Sequence, residues 1–470
     1  TRRAALYMQK NQVFISTASG YGTEGEAVFR QDGTSVFVPF CIDGVEAEVK
    51  VLAVKGGAAY GKCMRVIKPS PHRVTPECGV FGKCGGCRLQ HMDYPSQLAF
   101  KTLLVKNALK KIGGIDTEVL PARPSGAQYA YRNKLVLPVG RDEDGNTVIG
   151  FYAARSHRIV PVSDCPIQAG WCADVISAMK RYLGDASLTG YDELTRRGDI
   201  RRIAVREADG KFIAVLVAAH KVDARPLAEI LKSRLGDVTL LLNINNSEGN
   251  VIFGEEFTAV CGDGFFEAED MGIKFRAGAN TFLQVNDGVR TELYQKIVEE
   301  AGGDCVAADL YSGGGMLTVL LARACTAAYG IEVVPEASAC ADELKELNGL
   351  SDRMFNICGT VEEKLPALFS QLAGRKKVIV CDPPRKGMER SVCEAVRASD
   401  ADKVILVSCN PATLARDLGI ILGTLKEEGG VLKKTPEYAA NTPYTLKYVQ
   451  PYDMFPQTKW CETVAVLSKN

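Results

Sequence analysis

The chain has 470 residues, 46% hydrophobic and 24% charged, with a formal net charge of +1. That length suggests about three domains, and the composition is ordinary for a globular protein able to bury real cores. Near-neutrality excludes nucleic-acid binding driven by a global field, so such contacts must come from local basic patches.

The N-terminus, "TRRAALYMQKNQ", carries charge but no apolar h-region, so it is not expected to be a secretory signal. No run along the chain approaches the ~20 apolar residues needed to cross a bilayer, and no membrane association is expected. From about residue 10 to 70, "GTSVFVPFC", "VEAEVKVLAV" and "AAYGKCMRVI" alternate apolar and polar residues between Gly and Asp turns. This pattern predicts a small β-barrel over residues 1–70.

A cysteine run follows. Cys78, Cys84 and Cys87 stand in a C-x5-C-x2-C spacing, "ECGVFGKCGGCRLQH", with Cys165 later in "VSDCPIQ". Three clustered thiols and one remote one suit a metal or cluster cage, and both zinc and iron–sulfur sites use such sets. Cys172 is the rival fourth ligand. The other cysteines of the sixteen are scattered, many in apolar runs such as "VIVCDPP". They read as free thiols in a reducing cytoplasm, not as a disulfide scaffold.

"YPSQLAFKTLLVKNALKKIGG" predicts a helix over 94–113, ended by Gly113 and Gly114. It is a candidate to pack on the C-terminal domain. Its lysines (Lys101, Lys106, Lys110 and Lys111) read as a solvated face. Residues from about 128 to 280 return to strands. They include a hairpin with an Asp-Gly-Asn turn and a second turning at Asp209-Gly210, giving a central β-rich domain over 71–280. "TRRGDIRRIAVR" groups Arg196, Arg197, Arg201, Arg202 and Arg206, while Tyr131 neighbours Arg132 and Lys134. Such residues can pair with phosphate and stack on splayed bases.

Over 281–470, helix-like and strand-like runs alternate, which predicts a parallel α/β sheet. In "DLYSGGGMLTVLL", Gly313 and Gly315 let the backbone approach a ligand closely. Glu332 follows ~20 residues on, where an acid binds ribose hydroxyls. Thr318 occupies the third glycine position of the dinucleotide pattern, which weakens NAD or FAD and favours S-adenosylmethionine. Asp382-Pro383-Pro384-Arg385 ends the strand "VIVC", but lacks the aromatic residue that amino-group methyltransferases place after Pro-Pro. Cys409 falls just after the apolar run "KVILV", so its thiol is directed to the functional edge of the sheet. Glu462 stands beside a strand in "QTKWCETVAVL".

These motifs together resemble the RNA uracil-5-methyltransferase family, in particular its iron–sulfur-containing bacterial 23S rRNA members. The cysteine cage, "FLQVN", "DLYSGGG", "GIE", "CDPPRKG", "SCNPATLARDL" and "MFPQT…CET" come in the family's order and span roughly residues 10–470. The resemblance implies a multidomain α/β protein. Its parts are an N-terminal TRAM-type OB-like β-barrel, a central β-rich domain holding a 4Fe-4S cluster and a C-terminal Rossmann-like methyltransferase domain. It implies Cys78, Cys84, Cys87 and Cys165 as cluster ligands. Gln284, Tyr311, Glu332 and Asp382 are then the S-adenosylmethionine-binding positions, Cys409 the nucleophile and Glu462 the general base. Two positions depart from the pattern: Ser312 stands where members often have Cys, and Trp460 where many have His.

The activity so implied is methyl transfer from S-adenosylmethionine to C5 of a uridine in 23S rRNA, through a covalent bond from Cys409 to C6. The target base has to be extruded or already unpaired. No obligate protein partner is inferred. The alternatives are a tRNA uracil-5-methyltransferase and, in a different class, a non-catalytic RNA-binding protein on a methyltransferase scaffold. An oxidoreductase is disfavoured by Thr318, and cytosine-5 chemistry by Ser408, which stands where Pro usually precedes the nucleophile.

Overall fold

The computed structural model describes residues 8–249, 251–435 and 442–470. At the N-terminus, β1 (Val13–Thr17), β2 (Ala27–Gln31), β3 (Thr34–Val38), β4 (Glu46–Lys55) and β5 (Ala58–Lys68) form one sheet in the order β1-β4-β5-β3-β2. The period-2 alternation of β4 puts Ala47, Val49 and Val51 into a core with Phe29, Val36 and Val38. The residues just after β1 reach the other edge of the sheet: Ser19 N–H donates to Val28 O at 2.8 Å, and Val28 N–H to Gly20 O at 3.0 Å. The sheet therefore curls onto itself as the alternation predicts.

Helix α1 (Tyr94–Ala108) is capped by Asp93, whose Oδ1 accepts from Ser96 N–H at 2.9 Å. It runs into a π-helical turn (Leu109–Gly113) ended by Gly114 at φ 68°. Val105 and Leu109 join the core of the C-terminal sheet. One expectation for this helix is corrected. Lys101 is not on a solvated face but fully buried, ion-paired with buried Asp453 and donating to Phe455 O at 3.1 Å. Asp453 Oδ2 has no hydrogen-bond partner among the described residues. Removing the ammonium would strand a buried carboxylate, which costs about 3–5 kcal/mol. We expect Lys101→Met to lose stability of that order in urea unfolding, and Lys101→Met with Asp453→Leu to recover most of it. A K101M midpoint equal to the parent's would contradict this.

The central sheet has the order β12-β11-β10-β9-β6-β7-β8. It comprises β6 (Lys134–Arg141), β7 (Thr147–Tyr152), β8 (Ile159–Pro161), β9 (Ile200–Ala208), β10 (Lys211–Ala218), β11 (Val238–Ile244) and β12 (Glu256–Cys261). Both predicted hairpins form. Asp209 (φ 55°) and Gly210 (φ 71°) make the two-residue turn that right-twisted strands favour. Two helices here were not anticipated, α2 (Cys172–Asp185) and α3 (Arg225–Leu235). The signal was present, since Cys172, Val175, Ile176, Met179 and Leu183 recur at helical spacing and are buried on one face. The hairpin β13 (Phe265–Asp270) and β14 (Ile273–Gly278) packs Phe266 and Phe275 into a core that joins the central sheet to the C-terminal one.

The C-terminal sheet has the order β17-β16-β15-β18-β19-β23-β22. Its parallel strands are β15 (Val306–Leu310), β16 (Ala327–Glu332), β17 (Met354–Cys358), β18 (Lys377–Cys381) and β19 (Lys403–Ser408). Helices α4 (Asp287–Ala301), α5 (Met316–Ala324), α6 (Pro335–Leu347), α7 (Val361–Gln371), α8 (Arg390–Ala398) and α9 (Pro411–Leu422) cover it. A small hairpin, β20 (Leu425–Glu428) and β21 (Val431–Lys434), follows α9. The last two strands, β22 (Tyr444–Tyr452) and β23 (Glu462–Lys469), add antiparallel. Because β23 runs against β19, its first residue lies at the edge where the parallel strands end. No helix among the described residues is long and apolar enough to cross a membrane. All sixteen cysteines are free thiols.

Candidate active site

Parallel strands converge their carboxyl ends on one edge, and loops there can hold a ligand without burying unpaired backbone. Tyr311 follows β15, Glu332 ends β16, Asp382 follows β18 and Cys409 follows β19. The β19–β23 register pairs Ser408 with Thr463, which sets Cys409 beside Glu462, the first residue of β23. A cavity of about 1030 Å³ opens over this edge. All ten residues singled out from the sequence line it: Cys409, Glu462, Gln284, Tyr311, Glu332, Asp382, Cys78, Cys84, Cys87 and Cys165.

The glycine turn is held from across the edge. Glu332 Oε2 accepts from Gly313 N–H at 2.9 Å, and Oε1 from Val334 N–H at 2.8 Å. Gly313 sits at φ 54° with nothing above its Cα, so the turn leaves open room for a ligand. Gly315, at φ 86°, lies where a Cβ would strike Ala341 and Met354. Thr318, in place of the third glycine, donates to buried Asp309 at 2.6 Å. Burial still pushes the Asp309 carboxyl up to about 7. Gln284 is buried ahead of α4, its carbonyl accepting from Asn133 Nδ2 at 3.0 Å. An open glycine turn, a fixed carboxylate and room for a nucleoside fit S-adenosylmethionine.

Three titratable groups share the far end of the cavity. Burial, and the like charge of Asp382, push the Glu462 carboxyl well above the usual carboxylate range, while Arg385 opposes this. Burial also lifts Asp382, to about 6. Two buried carboxyls that act on each other in this way titrate as a pair, and both release their protons late. Glu462 Oε2 is buried with no hydrogen-bond partner among the described residues. Burial and the Glu462 charge lift the Cys409 thiol to about 11, opposed by the Arg385 guanidinium. The free site therefore holds a thiol beside an unfilled carboxyl oxygen.

Arg385 was read from the sequence only as a mark against another methyltransferase class. In the structure it acts on both Cys409 and Glu462, and its Cζ stands 4.8 Å from the centroid of the Trp460 ring. Three of the basic residues read from the sequence, Arg132, Lys134 and Arg206, line the same cavity. Burial, then Arg206 and Arg132, lower Lys134 to about 8.

Other basic-patch expectations are corrected. Arg201 and Arg202 are buried in β9. Arg201 Nη1 donates to Asn245 O at 2.8 Å and Ser247 O at 2.9 Å, so it ties the fold together and does not meet phosphate. Arg196 is exposed, in a surface ion pair with Glu248 at 2.7 Å, and its expectation stands. Tyr131 is buried, its hydroxyl donating to Pro456 O at 3.0 Å, and is no stacking platform.

The four cage thiols gather on one wall of the cavity. Charge on any one raises its neighbours: Cys87 feels Cys165, Cys84 and Cys78, Cys165 feels Cys84 and Cys78, and Cys84 feels Cys78. Burial pushes Cys87 up to about 12 and Cys165 to about 11. Among the described residues, however, no group of three or more His, Cys, Asp or Glu is arranged to hold a metal ion. Cys172 is fully buried and does not line the cavity.

A family model described as tRNA (Uracil-5-)-methyltransferase matches residues 209–428. An uncharacterized RNA methyltransferase of Clostridium tetani is 37% identical over 98% of this chain and 97% of its own. One of Halalkalibacterium halodurans is 36% identical over 98% of each. Among solved structures, the tRNA (uracil-54, C5)-methyltransferase of Pyrococcus abyssi, in complex with S-adenosyl-L-homocysteine, superposes with a TM-score of 0.73 at 23% identity. That match covers 96% of this chain and 99% of that one.

Proposed function

The chain belongs to the RNA uracil-5-methyltransferase family and is an S-adenosylmethionine-dependent RNA methyltransferase, and from this we propose that it methylates C5 of a specific uridine in 23S rRNA through a covalent Cys409 adduct. The observation that carries the reading is the β19–β23 register, which sets Cys409 beside Glu462 in the cavity that Gln284, Tyr311, Glu332 and Asp382 also line.

Uracil C5 is a poor nucleophile. Addition of the Cys409 thiolate to C6 breaks the C5–C6 double bond and leaves enolate character on C5 and O4. Arg385 favours that thiolate, and its proton passes to solvent through the open cavity, which leaves Glu462 ionised for the later step. S-adenosylmethionine, when bound, supplies an electrophilic sulfonium methyl group for C5. Glu462 then removes the C5 proton, the C5–C6 double bond re-forms and Cys409 leaves as thiolate. The unfilled Glu462 Oε2 is the oxygen free to take that proton.

The direction of the carboxyl shifts predicts the pH profile. A base must be ionised to act, and both acids release their protons late. The acidic limb of kcat/KM should therefore rise at a pH no lower than about 6, above the ordinary carboxylate range. Asp382→Asn removes the like charge, so the limb should move to lower pH. Initial rates across pH 5–9, a roughly chosen range, would show it; a limb unmoved in D382N would disprove the coupling.

The four gathered thiols support a 4Fe-4S cluster on Cys78, Cys84, Cys87 and Cys165. Zinc and iron–sulfur sites both draw on such thiol sets, and the family resemblance is what favours the cluster. Anaerobically purified protein should be brown and contain iron, and Cys87→Ser should lose both; a colourless, zinc-loaded protein would reject the cluster. Where the protein resides follows from the same reading: a reducing cytoplasm, with RNA as partner.

The second substrate reading is tRNA, favoured by the description of the matching family model and by the activity of the Pyrococcus abyssi protein. Incubation of anaerobically purified protein with S-adenosylmethionine and unmodified 23S rRNA or tRNA, with nucleoside mass spectrometry, separates the two. 5-Methyluridine in 23S rRNA alone is expected. In tRNA alone, it would replace the proposed substrate. In neither, the methylated uridine would lie in another RNA.

A further inference from the structure

Trp460 is a wall between two cavities. On one side lies the Cys409 cavity, where Arg385 stands over the indole. On the other lies a cavity of about 510 Å³ between the N-terminal barrel, α1 and the start of α9. Its lining is aromatic and aliphatic, with Tyr21 and Phe37 from the barrel, Phe100 and Leu104 from α1, and Trp460 itself. Asn410, next in sequence to Cys409, lines it as well. Lys459 also lines it, with Nζ 4.3 Å from the centroid of the Trp460 ring and ion-paired to Glu24 of the barrel.

We propose that this second cavity receives the base of the nucleotide adjacent to the methylated uridine in the RNA strand, packed against the Trp460 indole. The inference rests on the reading of the first cavity as the uridine site. A uridine that leaves its stack to meet Cys409 deprives its covalently tethered neighbour of a stacking partner. The neighbour needs a new apolar surface close to the nucleophile, and Trp460 offers one on the far side of the same wall. A cavity this apolar holds a base by its face, which tolerates any sequence and rewards a large base. The Lys459 ammonium already occupies the indole on that side. On binding it exchanges Glu24 for the phosphate of the incoming nucleotide, and the base takes its place. Trp460 is thus a positioning residue, and the apposition of barrel, α1 and catalytic sheet is what builds its site.

The test couples protein and RNA changes. A short RNA spanning the methylated uridine is made intact and with an abasic nucleotide at each flanking position. Trp460→Ala should lose roughly 10- to 100-fold in kcat/KM on intact RNA, and Trp460→Phe should keep most of it. On the RNA lacking the contacted base, Trp460→Ala and the parent should become equal. If W460A loses the same factor on every RNA, the indole only supports Arg385 and the proposal fails.

A second readout does not depend on turnover. The chain has two tryptophans, so Trp171→Phe leaves Trp460 as the single indole fluorophore. Intact RNA should quench it saturably, and the matching abasic RNA should not. If the protein methylates neither 23S rRNA nor tRNA, the substrate reading fails by itself. Fragments of those RNAs then serve as the probe, and quenching of Trp460 still supports a base in the second cavity. Absence of quenching with every RNA overturns it.

Discussion

Cys409→Ala is expected to abolish 5-methyluridine formation and every covalent RNA complex, while leaving binding of S-adenosylmethionine intact. The thiol stands at the end of β19, half-buried, in a cavity it shares with Asp382 and Glu462. No other cysteine in that cavity can replace it, because Cys78, Cys84, Cys87 and Cys165 occupy the wall built by the central region. Burial lifts the free thiol to about 11, and the Arg385 guanidinium is the group beside it that favours the thiolate. Cys409→Ser should be nearly as inactive, since a hydroxyl is a far weaker nucleophile at the same place. Equilibrium dialysis with labelled S-adenosylmethionine, beside nucleoside analysis, makes the distinction. Residual 5-methyluridine in C409A would place the nucleophile elsewhere.

Glu462→Gln is expected to stop the enzyme one step later. The amide fills nearly the same space but cannot accept the C5 proton. RNA methylated at C5 should then remain bonded to Cys409 and survive denaturing electrophoresis as a shifted band. Turnover should fall by roughly 100- to 10,000-fold, the usual span for loss of a general base. Glu462 is almost fully buried and its Oε2 has no hydrogen-bond partner among the described residues. The substitution also removes a like charge from beside Asp382, which should then ionise at lower pH. Full turnover in E462Q with no shifted band would remove Glu462 from the reaction. The double variant C409A/E462Q should show no band at all, which separates the adduct from tight binding.

Much of the site was legible because its residues sit in short motifs with their own physical logic. "DLYSGGG", "CDPPRKG" and "SCNPATLARDL" each read as a strand followed by a turn, and each strand ends where expected. The α/β alternation after residue 281 placed those strand ends on one edge by the general rule for parallel sheets. Less legible were features whose partners are far apart in sequence. Lys101 read as a surface charge because its burial depends on Asp453, which no local window contains. Arg201 read as a phosphate contact, yet its partners are carbonyls at Asn245 and Ser247. Tyr131 read as a stacking ring until the Pro456 carbonyl took its hydroxyl. Helices α2 and α3 were passed over beside the stronger strand signals around them.

Local sequence carried most of the elements, the glycine turn, the thiol at a strand end and the grouping of three cysteines. These depend on local backbone preference and on periodicity, which neighbouring residues set among themselves. That β23 runs antiparallel against β19 comes from packing of distant segments. That register puts Glu462 beside Cys409 and leaves Trp460 as the wall between two cavities. Burial decided the rest. A carboxylate, a thiol or a lysine has an ordinary pKa until desolvation and nearby charge act on it. Those depend on which distant segments fold over it, a quantity that no stretch of chain carries alone.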